Sequence, residues 1–140
     1  MKYDLEERLL EFASRIVKMC EAMPTSVAGR HVSGQVLRSG TAPMAHHGEA
    51  QAAESRKDFI HKLRLGLKEL KETYRWLRLI HRVPLVSSSH LVEPLIKECQ
   101  ELTLIFASSI NTALSKDSRL REESATYQIS LPPTVSDDEE

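Results

Sequence analysis

Glycine and proline are scarce in this chain of 140 residues, with five and six copies, and aromatic residues make up only 5%. Sheets favour aromatic and β-branched residues and need many Gly- and Pro-containing turns, so this composition disfavours a β fold. No apolar stretch approaches the roughly 20 residues that a membrane-spanning helix needs, and the first residues lack the pattern of a signal peptide. We therefore expect a soluble, cytoplasmic, all-α protein with no membrane partner.

Cysteine is equally scarce, and Cys20 and Cys99 each lie among apolar residues at helical spacing. Buried free thiols are the simpler interpretation, because a reducing compartment keeps thiols reduced. A disulfide is the alternative. The sequence also lacks a Gly-rich phosphate loop, a nucleophile elbow and a zinc-binding cysteine spacing. We therefore predict no enzyme activity, no catalytic residues and no cofactor, and no small-molecule substrate is evident.

The net charge of −1 conceals an uneven distribution. Residues 115–140 hold three basic and seven acidic side chains, a balance of −4, which leaves +3 on residues 1–114. The acidic tail, as we name residues 115–140, has Pro, Ser and acids but little to bury. We predict that it is disordered and follows a bundle domain formed by residues 1–114. The alternative is docking on a neighbour through the tail's apolar residues Leu120, Tyr127, Ile129 and Leu131.

Capping residues and prolines divide the first 114 residues into four helical segments. Ser, Thr, Asp and Asn are preferred at helix N-termini because their side chains accept hydrogen bonds from free backbone N–H groups. The predicted N-caps, in chain order, are Asp4, Thr25 or Ser26, Ser55, and the Ser87–His90 run. Four helices with short connections favour an antiparallel up-down-up-down four-helix bundle.

Two prolines fall inside these helices. Pro43 removes a backbone donor in the second helix, so we expect a kink near Ser39 rather than a chain break. Pro94 is expected in the first turn of the fourth helix, where a missing donor costs little. Gly40 and Gly48 weaken the second helix, which suggests that close helix contact requires small residues there.

The third helix has three distinct faces. The inward seam alternates steps of three and four residues, as in a bundle: Ile60, Leu63, Leu67, Leu70, Tyr74 and Leu77. The basic stripe repeats this alternation within an arc of roughly 80°: Arg64, Lys68, Lys71, Arg75, Arg78 and Arg82. A further apolar side, which we interpret as an oligomer interface, comprises Leu65, Trp76, Leu79 and Ile80.

A block of residues in the middle of the chain matches a known pattern. The matching residues are Gln35, Leu37, Arg38, Ser39, Thr41, Glu49, Ala50, Lys57, Asp58, Phe59 and Glu69. Over Leu5 to Leu114, the sequence resembles the four-helix bundle family of 23S rRNA intervening-sequence proteins, formerly labelled ribosomal. The resemblance implies a bacterial homopentamer of antiparallel four-helix bundles and no enzymatic reaction.

A related branch contains the accessory proteins of diversity-generating retroelements, which are basic pentamers that bind nucleic acid and a reverse transcriptase. The resemblance therefore implies RNA or a nucleic-acid-processing protein as a candidate partner. The second-helix pattern of the family continues with Ser-Ile and has an Asn before the Glu, whereas this chain has Ala42, Pro43 and His46.

Polar residues around the second helix form a candidate cluster. We predict that Arg38, Ser39, Glu49 and Asp58 are buried or half-buried together, with Arg38 and Glu49 pairing across subunits or with Asp58. A structural network that enforces one register is the favoured interpretation, because buried charge must be matched, and a ligand site is the alternative.

Histidines and acids around the turn between the second and third helices are possible metal ligands. They are His46, His47, Glu49, Glu54, Asp58 and His61. A di-metal bundle needs a repeated Glu-x-x-His on two helices with further Glu ligands, and the sequence lacks that repeat. We therefore predict solvated or capping histidines and no metal.

The basic stripe alone indicates a partner by type. Lys and Arg along one face can neutralise phosphates, and a ring of subunits would multiply the field, although a charged stripe is ordinarily a solvated face. We predict a non-enzymatic homo-oligomer that serves as a protein-interaction or structural scaffold. The alternative is an RNA-binding accessory protein that uses the stripe, with the acidic tail covering it as a nucleic-acid mimic.

Overall fold

The computed structural model describes residues 4–116, which form four α-helices. They are α1 (Leu5–Glu21), α2 (Val27–Gln51), α3 (Arg56–Arg82) and α4 (Ser89–Ser115). Between residues 4 and 116 there is no strand, which confirms the all-α prediction. None of these helices combines the length and apolarity that crossing a bilayer requires. The predicted disorder of the acidic tail concerns residues that, beyond Lys116, lie outside the described part of the chain.

The helices form the predicted four-helix bundle. Each helix packs against the next one along the chain, and α1 also packs against α4, which closes the bundle. The connections cover only residues 22–26, 52–55 and 83–88, so consecutive helices run antiparallel.

Side-chain caps set three of the four helix starts. Asp4 accepts a hydrogen bond from the Glu7 N–H at 3.2 Å, and the Ser26 hydroxyl accepts one from the Gly29 N–H at 3.1 Å. The Ser55 hydroxyl does the same for the Asp58 N–H at 3.0 Å. Each bond satisfies a backbone donor that the first turn leaves free, so three predicted caps are confirmed.

The fourth helix begins differently. Ser88 is the N-cap, within the predicted run, but its side chain makes no capping hydrogen bond to the described residues. Pro94 is the sixth residue of α4 and so lies in the second turn, not in the predicted first. In α2 the helix continues through Pro43 to Gln51, as predicted, and the kink at Ser39 stays a prediction.

The core contains the predicted inward seam of α3, with one systematic shift. A 3.5-residue repeat would place Tyr74 and His81 inward, but Tyr74 is half-buried and His81 is exposed. The residues before them, Thr73 and Ile80, are fully buried instead. An α-helix has about 3.6 residues per turn, so its inward face moves by about 20° per heptad relative to a 3.5-residue repeat. The prediction that Ile80 belongs to an oligomer interface is therefore corrected: this drift turns Ile80 into the core of the bundle.

Two glycines permit close helix contact. A Cβ atom at Gly40 would lie 2.9 Å from the Ile16 side chain of α1, and one at Gly66 would lie 2.5 Å from the Phe106 ring of α4. At Gly48 a Cβ atom would meet nothing within 4 Å. The contact predicted for Gly40 is confirmed, and that for Gly48 is wrong.

Candidate functional site

A network of charged and aromatic side chains joins the outer surfaces of α2 and α3. The half-exposed Arg38 guanidinium forms an ion pair with Glu69 at 2.9 Å and a second with Glu72. The Trp76 indole N–H donates to the Glu72 carboxylate at 3.0 Å, and the His31 ring meets the Trp76 ring edge-on, with centroids 6.1 Å apart. These contacts hold Trp76 in one orientation on the bundle surface.

The predicted cluster of Arg38, Ser39, Glu49 and Asp58 does not form as one unit. Arg38 is exposed and pairs with α3, whereas Glu49 contacts Lys62 at 3.3 Å. Asp58 lies in the first turn of α3, where its N–H is capped. Ser39 points about 100° away from Arg38 around the helix. Glu49 lies on the same side of α2 as Arg38 but about three turns further along, roughly 16 Å away, so these side chains do not meet.

Ser39 instead belongs to a buried hydroxyl pair. Its Oγ lies 2.9 Å from Oγ1 of Thr73, and both residues are fully buried. Thr73 Oγ1 also lies 2.8 Å from the Glu69 carbonyl. A hydroxyl has one proton, so Thr73 can donate to Glu69 while Ser39 donates to Thr73. The pair ties α2 to α3 inside the core, and sequence reasoning missed Thr73 because it assumed the 3.5-residue seam.

The predicted oligomer-interface side of α3 is apolar and partly exposed. Leu65 and Trp76 are half-buried, and Leu79 is 42% exposed. Val83, the residue after the helix, is 55% exposed and was missed. At 100° per residue the four fall within an arc of roughly 60°. We call this set the apolar face: Leu65, Trp76, Leu79 and Val83.

The basic stripe lies on α3 as predicted. Arg64 and Lys71 are half-buried, and the other four residues are exposed. The Arg78 guanidinium stacks over the Tyr74 ring at 5.6 Å, and an Arg75 N–H donates to the Lys71 carbonyl at 3.1 Å. Burial lowers the pKa of the Arg64 guanidinium, although arginine keeps its charge at neutral pH. The stripe therefore presents a row of positive charge along one side of the bundle.

The histidines are dispersed. His46 contacts the Glu49 carboxylate at 3.2 Å, and His61 is exposed. His47 is buried against the Phe106 ring, with centroids 6.4 Å apart, and this burial lowers its pKa. Within residues 4–116, no group of three or more His, Cys, Asp or Glu side chains is arranged to hold a metal ion.

Both cysteines are free thiols, as predicted. Burial raises the pKa of Cys99 to about 12, and burial likewise raises the pKa of the half-buried Cys20, whose Sγ lies 3.6 Å from the Ser33 carbonyl. The thiolate is the reactive form, so both groups are poor nucleophiles at neutral pH.

An open cleft of about 680 Å³ lies at the end of the bundle, between the α2–α3 connection and the last turns of α4. Hydroxyl side chains line it together with two cations: Ser55, Ser108, Ser109, Thr112, Arg56 and Lys116. Its described lining includes no histidine that could activate a hydroxyl as a nucleophile. Sequence reasoning missed this cleft because its walls come from distant segments.

A family model for 23S rRNA-intervening sequence proteins matches residues 2–108. The chain belongs to this family. Among solved structures, it is similar to a protein of unknown function from the S23 ribosomal protein family of Bacteroides thetaiotaomicron. The two are 36% identical with a TM-score of 0.71, over 76% of this chain and 98% of that one. No curated protein matches the chain. The family resemblance is confirmed, and neither match indicates an enzymatic family.

This member of the 23S rRNA-intervening sequence family accommodates its departures within α2. Pro43 is buried inside the helix, and the neighbouring Ala42 is half-buried. His46, at the position where the resemblance leads us to expect Asn, keeps a polar contact with Glu49. The departures therefore leave the second helix and its polar edge in place.

Proposed function

We propose that this protein is a non-enzymatic, cytoplasmic bundle that associates with itself and serves as a protein-interaction or structural scaffold. The apolar face of α3 carries the proposal. The inward side of α3 already packs a complete seam, from Ile60 to Ile80, so the apolar face is surplus to the needs of the monomer.

The apolar face has the features of an interface core. Trp76 is a large aromatic anchor whose N–H is already satisfied by Glu72, so its burial leaves no donor unpaired. Leu79 and Val83 continue the apolar face towards the end of the helix and remain substantially exposed. Burying a fully exposed side chain of this kind contributes about 1.5 to 3 kcal/mol, and association would gain the part of this that corresponds to the surface still exposed. The family resemblance implies five subunits.

Light scattering coupled to size exclusion tests this proposal by comparing the mass of the native chain with that of a variant that carries one charge in the apolar face. We expect the native chain to elute with the mass of an oligomer, and Leu79→Glu to reduce that mass towards one chain, because burying an unpaired carboxylate is costly. Leu104→Glu is the matched control, since Leu104 lies on α4 with 40% exposure against 42% for Leu79. A monomeric native chain, or equal effects of both variants, contradicts the proposal.

Nucleic-acid binding through the basic stripe is the second candidate function. Lys68, Lys71, Arg75, Arg78 and Arg82 form no ion pair with any carboxylate among residues 4–116. Unneutralised cations in a row can bind phosphates, with affinity that falls steeply as salt rises.

Reversing two charges of the stripe tests this second function. We expect Arg75→Glu with Arg78→Glu to abolish low-salt RNA binding by a chain truncated after Leu114, measured by fluorescence anisotropy. The charge-matched control is Lys18→Glu with Arg30→Glu, two exposed positions on α1 and α2. Binding that both double variants weaken equally would indicate a general charge effect, and no binding by the truncated native chain at low salt would remove this function.

A further inference from the structure

The chain leaves α4 beside the beginning of α3. An Arg56 guanidinium N–H donates to the Lys116 carbonyl at 3.0 Å, which brings the last described residue against the first turn of α3. The basic stripe begins at Arg64, about two helical turns further along α3. The residues after Lys116 therefore start about 12 Å from the level of Arg64, at the end of α3 where the stripe begins.

Other cations of the bundle contrast with the stripe. Arg8 pairs with Glu98 and Glu101 of α4, and Lys62 of α3 pairs with Glu49 of α2. Five of the six stripe cations have no such carboxylate among residues 4–116. Across residues 117–140 the sequence holds two basic and seven acidic side chains, and four of these acids are consecutive at residues 137–140. Most cations of the basic stripe thus lack carboxylate partners among residues 4–116, and residues 117–140 hold an excess of carboxylates.

We propose that residues 137–140 dock on the basic stripe of the same chain and so occupy it against external polyanions. Asp137 follows Lys116 by 21 positions, a length of chain that spans at most roughly 70 Å. From the level of Arg56 to Arg82 the helix axis extends about 39 Å, so the acidic residues can reach every part of the stripe.

The tether favours the chain's own stripe over that of another molecule. A short connection raises the effective concentration of an attached group to the order of millimolar, well above a micromolar protein concentration. Exposed ion pairs are individually weak and screened by salt, so the docking is reversible and sensitive to ionic strength. This inference does not depend on self-association through the apolar face.

Zero-length carbodiimide cross-linking of the full chain tests the docking, because it joins amines to carboxylates that are in contact. We expect peptides that link Lys68 or Lys71 to residues 137–140, and their loss at high salt. Lys18, exposed on α1, is the internal control. A mixture of isotope-labelled and unlabelled chains should give links within one isotope type. The proposal is overturned if the links are absent, are equally frequent at Lys18 or, in an equal mixture, join different isotope types in about half of the cases, as docking between chains would give.

Heparin affinity at low salt tests whether residues 137–140 compete with an external polyanion for the basic stripe. The variant with Asp137→Asn, Asp138→Asn, Glu139→Gln and Glu140→Gln should bind roughly three- to tenfold more tightly than the native chain. A control with four exposed acids neutralised elsewhere carries the same net charge: Glu6→Gln, Glu11→Gln, Glu21→Gln and Glu54→Gln. Equal affinities of the two variants overturn the competition. The cross-links do not require heparin or RNA binding, so failure of the nucleic-acid function is distinguishable from failure of the docking.

Discussion

Individual residues carry two kinds of polar chemistry in this bundle, buried and exposed. The exposed ion pairs of Arg38 contribute little to stability, because water and salt screen them. Ser39 and Thr73 are fully buried, so an unpaired hydroxyl there would cost about 1 to 3 kcal/mol. His47 is also buried, with only 7% exposure, and unlike these hydroxyls it can gain a proton near neutral pH.

The stability of the bundle should depend on the charge of His47. Burial lowers its pKa in the folded state, and the negative charges of Glu6 and Asp4 oppose that shift only in part. The unfolded chain therefore binds the proton more readily, so the free energy of unfolding is highest above about pH 6.5 and falls below it. Urea unfolding between pH 8 and pH 5 measures this. His47→Gln should flatten the profile in this range, whereas His61→Gln, at an exposed position, should leave it unchanged.

At the scale of the element, α3 has three faces with different surroundings. Its inward seam closes the core, its apolar face flanks the Arg38 network, and its basic stripe faces solvent. Close packing of α3 on α4 depends on Gly66, whose missing Cβ leaves room for the Phe106 ring. The small residue brings the two helices together at that level.

Gly66→Ala should destabilise the bundle despite the better helix propensity of alanine. The new Cβ atom would lie 2.5 Å from the Phe106 ring, which is fully buried in the core, so the ring or the helices must shift. Such overpacking costs about 1 to 3 kcal/mol. Gly48→Ala is the matched control, since its Cβ meets nothing within 4 Å, and should stabilise by about 0.5 to 1 kcal/mol. Urea unfolding gives both values, and a stable Gly66→Ala variant would contradict the packing.

At the scale of the whole molecule, the core of one chain is complete. Each helix contributes fully buried side chains, such as Phe12, Val36, Leu70 and Phe106. A bundle with its own closed core can fold as a single chain, so self-association would add stability to a structure that already exists.

The melting temperature should therefore depend on protein concentration. Association stabilises the folded state by mass action, so hundredfold dilution of the native chain should lower the melting temperature by roughly 5 °C or more. Leu79→Glu should melt at a temperature independent of concentration and still show a cooperative transition. Differential scanning fluorimetry across the dilution series measures both. A native melting temperature that does not change on dilution would argue against the proposed association.

Local signals made most of the fold predictable. Asp4, Ser26 and Ser55 accept hydrogen bonds from residues three positions away, and such near neighbours are visible in the sequence. The alternation of apolar residues likewise identified the seam of α3 up to Leu70, and Leu77 beyond it. It failed at Thr73 and Ile80 because a small difference in helical period accumulates with length.

What the sequence by itself determined is the helical class, the starts of the first three helices, most of the inward seam of α3 and the positions of the stripe on α3. These depend on residues a few positions apart along one helix. Only the tertiary structure decided that Arg38 pairs with Glu69 and Glu72, which lie 31 and 34 positions away. It also joined Ser39 to Thr73 and brought Lys116 against Arg56. Such contacts follow from how whole helices pack, because side chains distant in sequence meet only once the bundle has formed.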